Sequence, residues 1–304
     1  MTELAGPEGV ASAAEIGLSH REATAPPLGT RPLTTVPLTT GPVTTGPGAP
    51  QPVPQPRDTG SWAAKVDRLG VYQRDGVRGT NVAGRRLAGP VQGFGKMWQK
   101  TYRMEVGAAI EPTAAIALWR AHFPDFWPAG NRFAGALTGI NPGDVALLDL
   151  AVGGGVKLST GVFVLYADAE SFTLMTPQGH MFAGWITFSA ERADKGTGAD
   201  TVVQAQVLMR ASDPIYEIGM TLGGHAKEDK FWVATLRALG DRLGVPDAPV
   251  TADTTCVDSR RQWRHAASVW QNSMVRSVFQ TLLSPLTVLC RFLRRKDDGY
   301  LDTP

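Results

Sequence analysis

Apolar and polar residues alternate one by one between Thr201 and Arg210. The apolar positions of this stretch are Val203, Ala205, Val207 and Met209. A period of two residues is typical of a β-strand that buries one face. We therefore predict a strand here, followed by a turn at Ser212-Asp213-Pro214, because Asp213 suits a helix N-cap and Pro214 suits a first helical position.

The pattern becomes helical from Glu228 onward. Apolar residues now follow at steps of four, three and four, at Trp232, Leu236, Leu239 and Leu243. Such a stripe predicts a long amphipathic α-helix that ends near Val245. An earlier helix is expected after Glu111-Pro112-Thr113, and Pro124 ends it.

Short apolar segments separated by turn residues fill the region before the long helix. The predicted strands span residues 101–110, 134–140, 145–152, 156–166, 171–176 and 181–190, and the strand at 201–210 follows the polar loop 191–200. Strands in series without intervening helices predict an antiparallel meander. The predicted fold class is therefore α+β, with a curved antiparallel sheet gripping a long C-terminal helix. The space between sheet and helix is the predicted binding site.

The segments around this domain differ in composition. Residues 1–60 contain the repeats LTTVP, LTTGP and VTTGP, which exclude regular structure and predict a disordered tail. A docking or Thr-phosphorylated segment is the alternative. We expect a partly ordered lead-in at 61–100, the ligand-binding domain at 101–245, a linker at 246–258 and a short tail at 297–304.

Residues 259–296 combine an apolar stripe with basic side chains. The stripe consists of Trp263, Ala267, Trp270, Met274, Val278 and Leu282, and it predicts an amphipathic helix that Pro285 interrupts. This helix could pack on its own domain or on a partner subunit. Alternatively, it could lie on an anionic membrane surface with its tryptophans at the boundary.

The composition of the chain limits the cellular compartments and the kinds of partner that can be expected. Lys and Arg total 30 against 28 for Asp and Glu, a net charge of +2 that does not indicate nucleic-acid binding. Cys256 and Cys290 lie far apart, which favours free thiols in a reducing compartment. The acidic N-terminus lacks a secretory signal, and no run of about 18 apolar residues predicts a membrane span. We expect a cytoplasmic protein that can contact the inner membrane face.

One segment carries a family resemblance. Thr176-Pro-Gln-Gly-His180-Met-Phe-Ala-Gly184-Trp-Ile-Thr-Phe188 is similar to the T-x-x-G-H-x-x-x-G-x-x-x-F pattern of an uncharacterised bacterial and plant family. That family lies within the START / polyketide-cyclase-like helix-grip superfamily (SRPBCC). It usually has acidic residues after the second glycine, where Trp185 and Ile186 stand here.

The predicted order of elements over about residues 101–245 also resembles this superfamily, and Gly223 to Trp232 looks like its actinobacterial members. The resemblance implies a helix-grip fold with one deep apolar cavity. It further implies that this cavity holds a lipid, polyketide, steroid-like or other hydrophobic ligand, although a fold does not fix a function.

Few residues suggest chemistry. His180 could orient a ligand carbonyl or act as an acid/base, or it could be a turn histidine bonded to the backbone. His225 follows two glycines and fits a helix start. The histidines lack the H-x-x-x-H spacing of a helical metal site, and no G-x-S-x-G motif is present. We predict no metal ion and no cofactor.

The favoured function is the non-catalytic binding of a hydrophobic small molecule, as a carrier or sensor. The residues expected to line the cavity are Trp119, Phe126, Trp127, Trp185, Met209, Tyr216, Phe231 and Trp232. One alternative is a cyclase/aromatase- or dehydratase-type enzyme that uses His180 as its acid/base. Another is a peripheral membrane or partner-docking adaptor that binds through the C-terminal helix.

Overall fold

The computed structural model describes residues 58–71, 79–135, 139–153, 156–194 and 199–277. The predictions for residues 1–57 and 278–304, which include most of the Thr/Pro-rich tail, Cys290 and the basic end of the chain, lie outside the described residues. No helix in the described ranges is long and apolar enough to span a membrane.

One antiparallel sheet organises the described part of the chain. Its strands are β1 (Met97–Gly107), β2 (Arg132–Ala134), β3 (Val145–Gly153), β4 (Val156–Ala167), β5 (Ser171–Met175), β6 (Phe182–Asp194), β7 (Ala199–Ala211) and β8 (Val250–Asp258). Their order in the sheet is β2-β3-β4-β5-β6-β7-β1-β8. The predicted antiparallel meander is confirmed from β3 to β7, and β2 continues it, although the strand predicted at 134–140 shares only residue 134 with β2. Strand β1 then lies between β7 and β8.

The α-helices whose two ends both lie in the described residues are α1 (Pro112–Ala121), α2 (Pro214–Gly219) and α3 (His225–Leu243). The predicted turn before α2 is confirmed, because Asp213 Oδ1 accepts hydrogen bonds from the backbone N–H groups of Ile215 and Tyr216 at 2.8 and 3.1 Å. The long helix α3 begins three residues earlier than predicted. It ends at Gly244, whose positive φ of 81° suits a glycine.

The main core lies between one face of the sheet and helices α1 and α3. Trp119 of α1 packs edge-on against Phe188, with ring centroids 5.0 Å apart, and Leu236 and Leu239 of α3 are completely buried. Each such side chain contributes about 1.5–3 kcal/mol when it is fully buried. This curved sheet around a long C-terminal helix is the predicted helix-grip fold, and the prediction is confirmed.

The lead-in segment covers the opposite face of the sheet. Leu69 and Val82 form a second buried cluster with Leu147 of β3 and Phe163 of β4, whereas the neighbouring Leu148 belongs to the main core. Since alternate residues of a strand point to opposite faces, the sheet buries both faces at this point. The start of β1, from Met97, also lies within the range predicted as lead-in.

The prediction of a linker at 246–258 is wrong for most of its length. Residues Val250–Asp258 form β8, which pairs antiparallel with β1 in the register Thr101↔Asp253. Almost all side chains of this edge strand are exposed, so no apolar alternation marks it in the sequence. Strands β6 and β7 likewise extend into the predicted loop, to Asp194 and from Ala199.

The predicted amphipathic α-helix after residue 259 is only partly found where the chain is described, because α-helical backbone is limited to residues 273–277. A 3-10 helix spans Trp263–Gln271, and Trp263 and Trp270 are exposed. The buried Asn272 then interrupts the helix, because its Oδ1 accepts hydrogen bonds from the N–H groups of Met274 and Val275 and so starts a new turn. The remaining stripe residues, Val278 and Leu282, lie outside the described residues.

A candidate ligand cavity

A mainly apolar cavity of about 370 Å³ lies between the sheet and the C-terminal helices. Strands contribute aliphatic side chains to its wall, among them Leu148, Leu150, Val162, Leu174, Ile186 and Val207. The helices contribute Tyr216, Met220, Phe231 and Trp232. Cavities of this size with predominantly apolar walls are the usual form of a small-molecule site.

Most of the predicted lining residues lie at this cavity. They are Trp127, Trp185, Met209, Tyr216, Phe231 and Trp232, and the candidate His180 joins them. These side chains come from distant parts of the chain, and the curvature of the sheet brings them together. Their contact with a ligand stays a prediction.

Trp119 and Phe126 do not line the cavity, and the prediction is wrong for these two. Trp119 is completely buried between α1 and the sheet, where it contacts Phe172 and Phe188. Phe126 is almost as deeply buried. The apolar face of α1 packs directly on the sheet, so these aromatic rings stabilise the core and leave no space for a ligand.

A kink between α2 and α3 forms one wall of the cavity. Leu222 and Gly223 leave helical geometry within the segment Met220–Gly224, and Gly223 has a φ of 114°. Only glycine adopts this conformation without strain. Leu222 lines the cavity although it is 81% exposed, so the kinked segment forms part of the rim where the cavity meets solvent. In the sequence, the Gly223-Gly224 pair is the feature that marks this break between the two helices.

His180 lies at the end of a turn and faces the cavity with its ring. The ring is 5% exposed, and its Nδ1 accepts a hydrogen bond from the Phe182 N–H at 3.0 Å. A neutral ring with this acceptor carries its proton on Nε2. Burial lowers the pKa of His180 to about 4, so the ring is uncharged at neutral pH. His180 is thus a turn histidine bonded to the backbone, and it is also a polar group of the cavity wall.

The two glycines of the Thr176–Phe188 segment are required by close packing. Gly179 has a φ of 88°, and a Cβ there would lie 2.2 Å from the carbonyl oxygen of Gln271. At Gly184 a Cβ would lie 2.2 Å from the Leu208 carbonyl of β7. Thr176 fixes the same region, since its hydroxyl accepts a hydrogen bond from the Gly184 N–H at 3.0 Å. Most of the motif is therefore structural.

A buried charged cluster lies beside the cavity. Lys100 of β1 is completely buried, and its Nζ lies 2.7 Å from Asp229 Oδ1 and 2.9 Å from Glu228 Oε2. The hydroxyl of Tyr102 donates a hydrogen bond of 2.7 Å to the same Asp229 oxygen. Sequence reasoning missed this cluster, because no local pattern connects Lys100 with Glu228 and Asp229. A buried lysine could have been predicted from the alternation of β1, because Lys100 lies on the same face of the strand as the buried Tyr102 and Met104.

Glu228 is the member of this cluster that reaches the cavity wall. Burial raises its pKa to about 7; the positive charge of Lys100 opposes this rise, and the negative charge of Asp229 adds to it. Burial, together with the nearby Lys100, lowers the pKa of His225 to about 4, and burial also raises the pKa of Tyr102 well above its usual range. Both His225 and Tyr102 are therefore uncharged at neutral pH.

The segment after β8 closes the cavity on the side of Tyr216. Met274 lines the cavity, and its N–H donates a hydrogen bond of 3.2 Å to the Tyr216 hydroxyl. The N–H of Ser273 donates to the carbonyl oxygen of Gly179 at 2.9 Å. The chain beyond the predicted domain boundary at residue 245 is therefore part of the cavity wall.

Comparisons with known proteins give similarity at the level of structure. No protein-family model and no curated protein matches the chain. Its structure is similar to the di-domain ARO/CYC StfQ from the steffimycin biosynthetic pathway, at 13% identity and a TM-score of 0.36, over 49% of this chain and 53% of that one. The chain thus spans about half the length of StfQ.

Two smaller proteins are similar over almost their whole length. Protein Ms6760 from Mycobacterium smegmatis has 12% identity and a TM-score of 0.34, over 48% of this chain and 90% of that one. The major latex-like protein 151 of Panax ginseng has 14% identity and a TM-score of 0.30, over 47% of this chain and 97% of that one. Similarities this low do not transfer the activity of any of these proteins.

Proposed function

We propose that this protein binds a hydrophobic small molecule in the cavity and acts as a carrier or sensor. The observation that supports this proposal is the cavity itself, with about 370 Å³ of space and a wall that is mainly aliphatic and aromatic. Protein interiors are normally packed without voids much larger than a water molecule. A space of this size with a mainly apolar wall is therefore not a packing void, and it is large enough to hold a small molecule.

The depth of the cavity also favours binding over surface adsorption. The kinked segment Met220–Gly224 covers one side, and Met274 covers another. A ligand held behind these segments loses most of its contact with water, which is the main source of affinity for an apolar molecule. The exposed lining residues Leu222 and Lys227 mark the side on which a ligand would enter.

The enzyme alternative rests on His180. The Nε2–H of its neutral ring makes no hydrogen bond to another described residue, so it could donate to a ligand oxygen. A general base, however, works best with a pKa near the operating pH, and burial lowers the pKa of His180 to about 4. This supports a role in orienting a ligand more than a role in proton transfer. If His180→Asn abolished turnover of a hydrophobic substrate while binding was retained, the enzyme alternative would be favoured.

The adaptor alternative depends largely on residues 278–296, which lie outside the described residues. Exposed Trp263 and Trp270 are the described features that fit it. Sedimentation of the full chain, and of a chain ending at residue 277, with anionic liposomes tests this alternative. Equal sedimentation of the two chains would remove the support for membrane contact through the C-terminal end.

Two measurements on the full-length chain test the binding proposal. Native mass spectrometry followed by organic extraction should reveal a co-purifying apolar molecule, and the fluorescent probe N-phenyl-1-naphthylamine should bind to the stripped protein. Val207→Trp should fill the cavity and weaken probe binding at least about tenfold, which corresponds to about 1.4 kcal/mol. Val257→Trp is the matched control, because Val257 is exposed on β8. A folded Val207→Trp protein that binds like the wild type would exclude this cavity.

A further inference from the structure

Glu228 is an unusual component of an apolar cavity wall. The ionisable side chains among the described lining residues are His180, Tyr216, Lys227 and Glu228. Lys227 is exposed to solvent, whereas Glu228 is only 8% exposed. An acidic side chain this deeply buried normally requires a complete set of polar partners.

The partners of Glu228 are incomplete. Lys100 Nζ lies 2.9 Å from its Oε2, which is shielded from the cavity, but no described residue donates a hydrogen bond to its other oxygen, Oε1. Lys100 instead directs a short hydrogen bond to Asp229 and a longer one to the His225 carbonyl oxygen, at 2.7 and 3.5 Å. The carboxylate of Glu228 therefore lies at the cavity wall with Oε2 in an ion pair and with Oε1 lacking a donor from the described residues.

The charges of the cluster are also unbalanced. The titratable groups around Glu228 are Lys100 and Tyr102 from β1, with His225, Lys227 and Asp229 from α3. Tyr102 and His225 are uncharged at neutral pH, and Lys227 is exposed. Among the buried and half-buried groups, one lysine thus faces two carboxylates, so the buried part of the site lacks a positive charge, and Oε1 of Glu228 lacks a hydrogen-bond donor from the described residues.

We propose, on the basis of the binding function argued above, that Glu228 makes this cavity selective for hydrophobic molecules that carry a cationic amine. An ammonium group would supply both the missing donor and the missing charge. A hydroxyl group would supply only the donor. A carboxylate would supply neither, and it would add a third negative charge in a region of low dielectric.

The state of the site without a ligand agrees with this proposal. Burial beside Asp229 raises the pKa of Glu228 to about 7, so a proton partly neutralises the carboxylate near neutral pH. An alkyl ammonium, whose pKa lies near 10 like that of lysine, would replace this proton. Binding should therefore release protons near pH 7, and affinity should fall by up to about tenfold for each pH unit below the pKa of Glu228.

The experiment uses the full-length protein and three matched probes: decylamine, decan-1-ol and decanoate. Each probe displaces N-phenyl-1-naphthylamine at pH 8 and at pH 5.5, below its own aggregation concentration. We expect decylamine to bind at least tenfold more tightly than decan-1-ol at pH 8, and decanoate to bind most weakly. The preference for decylamine should largely disappear at pH 5.5, while binding of decan-1-ol stays unchanged.

Glu228→Gln provides the direct test, because it keeps the shape of the side chain and removes the charge. The substitution should lower the affinity for decylamine at least tenfold and leave the affinity for decan-1-ol unchanged. Asp241→Asn, an exposed position on the same helix, should change neither. If Glu228→Gln fails to fold, calorimetry of the wild-type protein with decylamine in two buffers of different ionisation enthalpy measures the proton release instead.

The outcomes separate the two proposals. Equal affinity for the amine and the alcohol at pH 8, or the absence of proton release, overturns the role of Glu228 and leaves the binding function standing. Failure of N-phenyl-1-naphthylamine and of all three probes to bind overturns both. A preference for decylamine that Glu228→Gln removes supports both.

Discussion

Asn272 Nδ2 donates a hydrogen bond of 2.8 Å to Asp213 Oδ2, and both side chains are completely buried. The other oxygen of Asp213 caps α2. The Oδ1 of Asn272 accepts a hydrogen bond from the Met274 N–H and so starts the turn that contains Met274. This one hydrogen bond therefore connects the helix at the cavity wall to the segment that closes the cavity. Burial raises the pKa of Asp213, and the hydrogen bonds that it accepts oppose this rise.

Asn272→Ala should loosen the closing segment. We expect a loss of about 2–3 kcal/mol in the free energy of unfolding, because a buried acceptor on Asp213 and two backbone donors lose their partner. The release rate of bound N-phenyl-1-naphthylamine should rise severalfold in stopped-flow measurements. Gln99→Ala, at an exposed position of β1, should alter neither quantity. An unchanged release rate in Asn272→Ala would show that Met274 does not restrict access.

Gly184→Ala should destabilise the sheet next to the cavity. The new methyl group would meet the Leu208 carbonyl oxygen at 2.2 Å, and such overpacking costs about 1–3 kcal/mol. Gly219→Ala is the matched control, since Gly219 is helical with a φ of −58° and no atom lies within 4 Å of the added carbon. It should be neutral or stabilising by up to about 1 kcal/mol. Urea unfolding of the two variants measures both effects, and equal destabilisation would contradict the packing argument.

Lys100→Met should destabilise the fold strongly. Removing the lysine leaves Glu228 and Asp229 side by side without a cation, and loss of one partner of a buried ion pair costs about 3–5 kcal/mol. The double variant Lys100→Met/Glu228→Gln should recover part of this loss, because it also removes the uncompensated charge. Lys230→Met is the control, because it changes an exposed lysine of α3, the helix that carries Glu228 and Asp229. Its free energy of unfolding should stay within about 0.5 kcal/mol of the wild type. Chemical unfolding of the wild type, Lys100→Met, Glu228→Gln and the double variant completes the double-mutant cycle, and strictly additive losses would show that the two buried groups do not interact.

His180 should make stability depend on pH in the acidic range. Its pKa is about 4 in the folded protein and about 6.5 in the unfolded chain, so the unfolded chain takes up the proton first. Stability should therefore fall as the pH drops from 6.5 through 4, by up to about 3 kcal/mol. His180→Asn keeps an acceptor for the Phe182 N–H and should remove this part of the dependence. Parallel pH profiles of the wild type and the variant would contradict a buried neutral His180.

Glu228 should make stability depend on pH in the opposite direction to His180. Its folded pKa of about 7 lies above its ordinary value of about 4.3, so the folded protein holds the proton more tightly. The stability that this proton contributes is complete at low pH and is lost as the pH rises from 4.3 through 7. Comparing unfolding free energies of the wild type and Glu228→Gln at pH 5 and pH 8 measures this loss, and a constant difference between the two proteins would be the contradicting result.

Much of the fold could be predicted from the sequence, because strands with one buried face alternate in polarity. The Val203–Met209 alternation marks β7, and the stripe from Trp232 marks α3. Strand β8 could not be predicted in this way, since its side chains are exposed on both faces and its stability comes from backbone pairing with β1. The prediction of one continuous C-terminal helix was wrong for another reason. The apolar stripe from Trp263 continues past Asn272, but the Asn272 side chain caps a new helical turn and so interrupts the helix.

The candidate site was only partly predictable for similar physical reasons. Aromatic residues such as Trp127 and Phe231 were expected at the cavity, but hydrophobicity alone cannot separate them from Trp119, which fills the core. The pairing of Lys100 with Glu228 joins residues that lie far apart in the chain. It follows from the packing of α3 on β1, a tertiary contact that no local pattern encodes.

The position of β1 in the sheet has a consequence for synthesis. Lys100 of β1 pairs with Val207 of β7 on one side and with Thr254 of β8 on the other. At about 5–20 residues per second, a ribosome makes these partners roughly 5–30 s after β1. During that interval β1 has neither of its sheet neighbours, and strands with distant partners form slowly. The newly made chain therefore carries an unpaired, half-apolar strand until almost the whole domain has been synthesised.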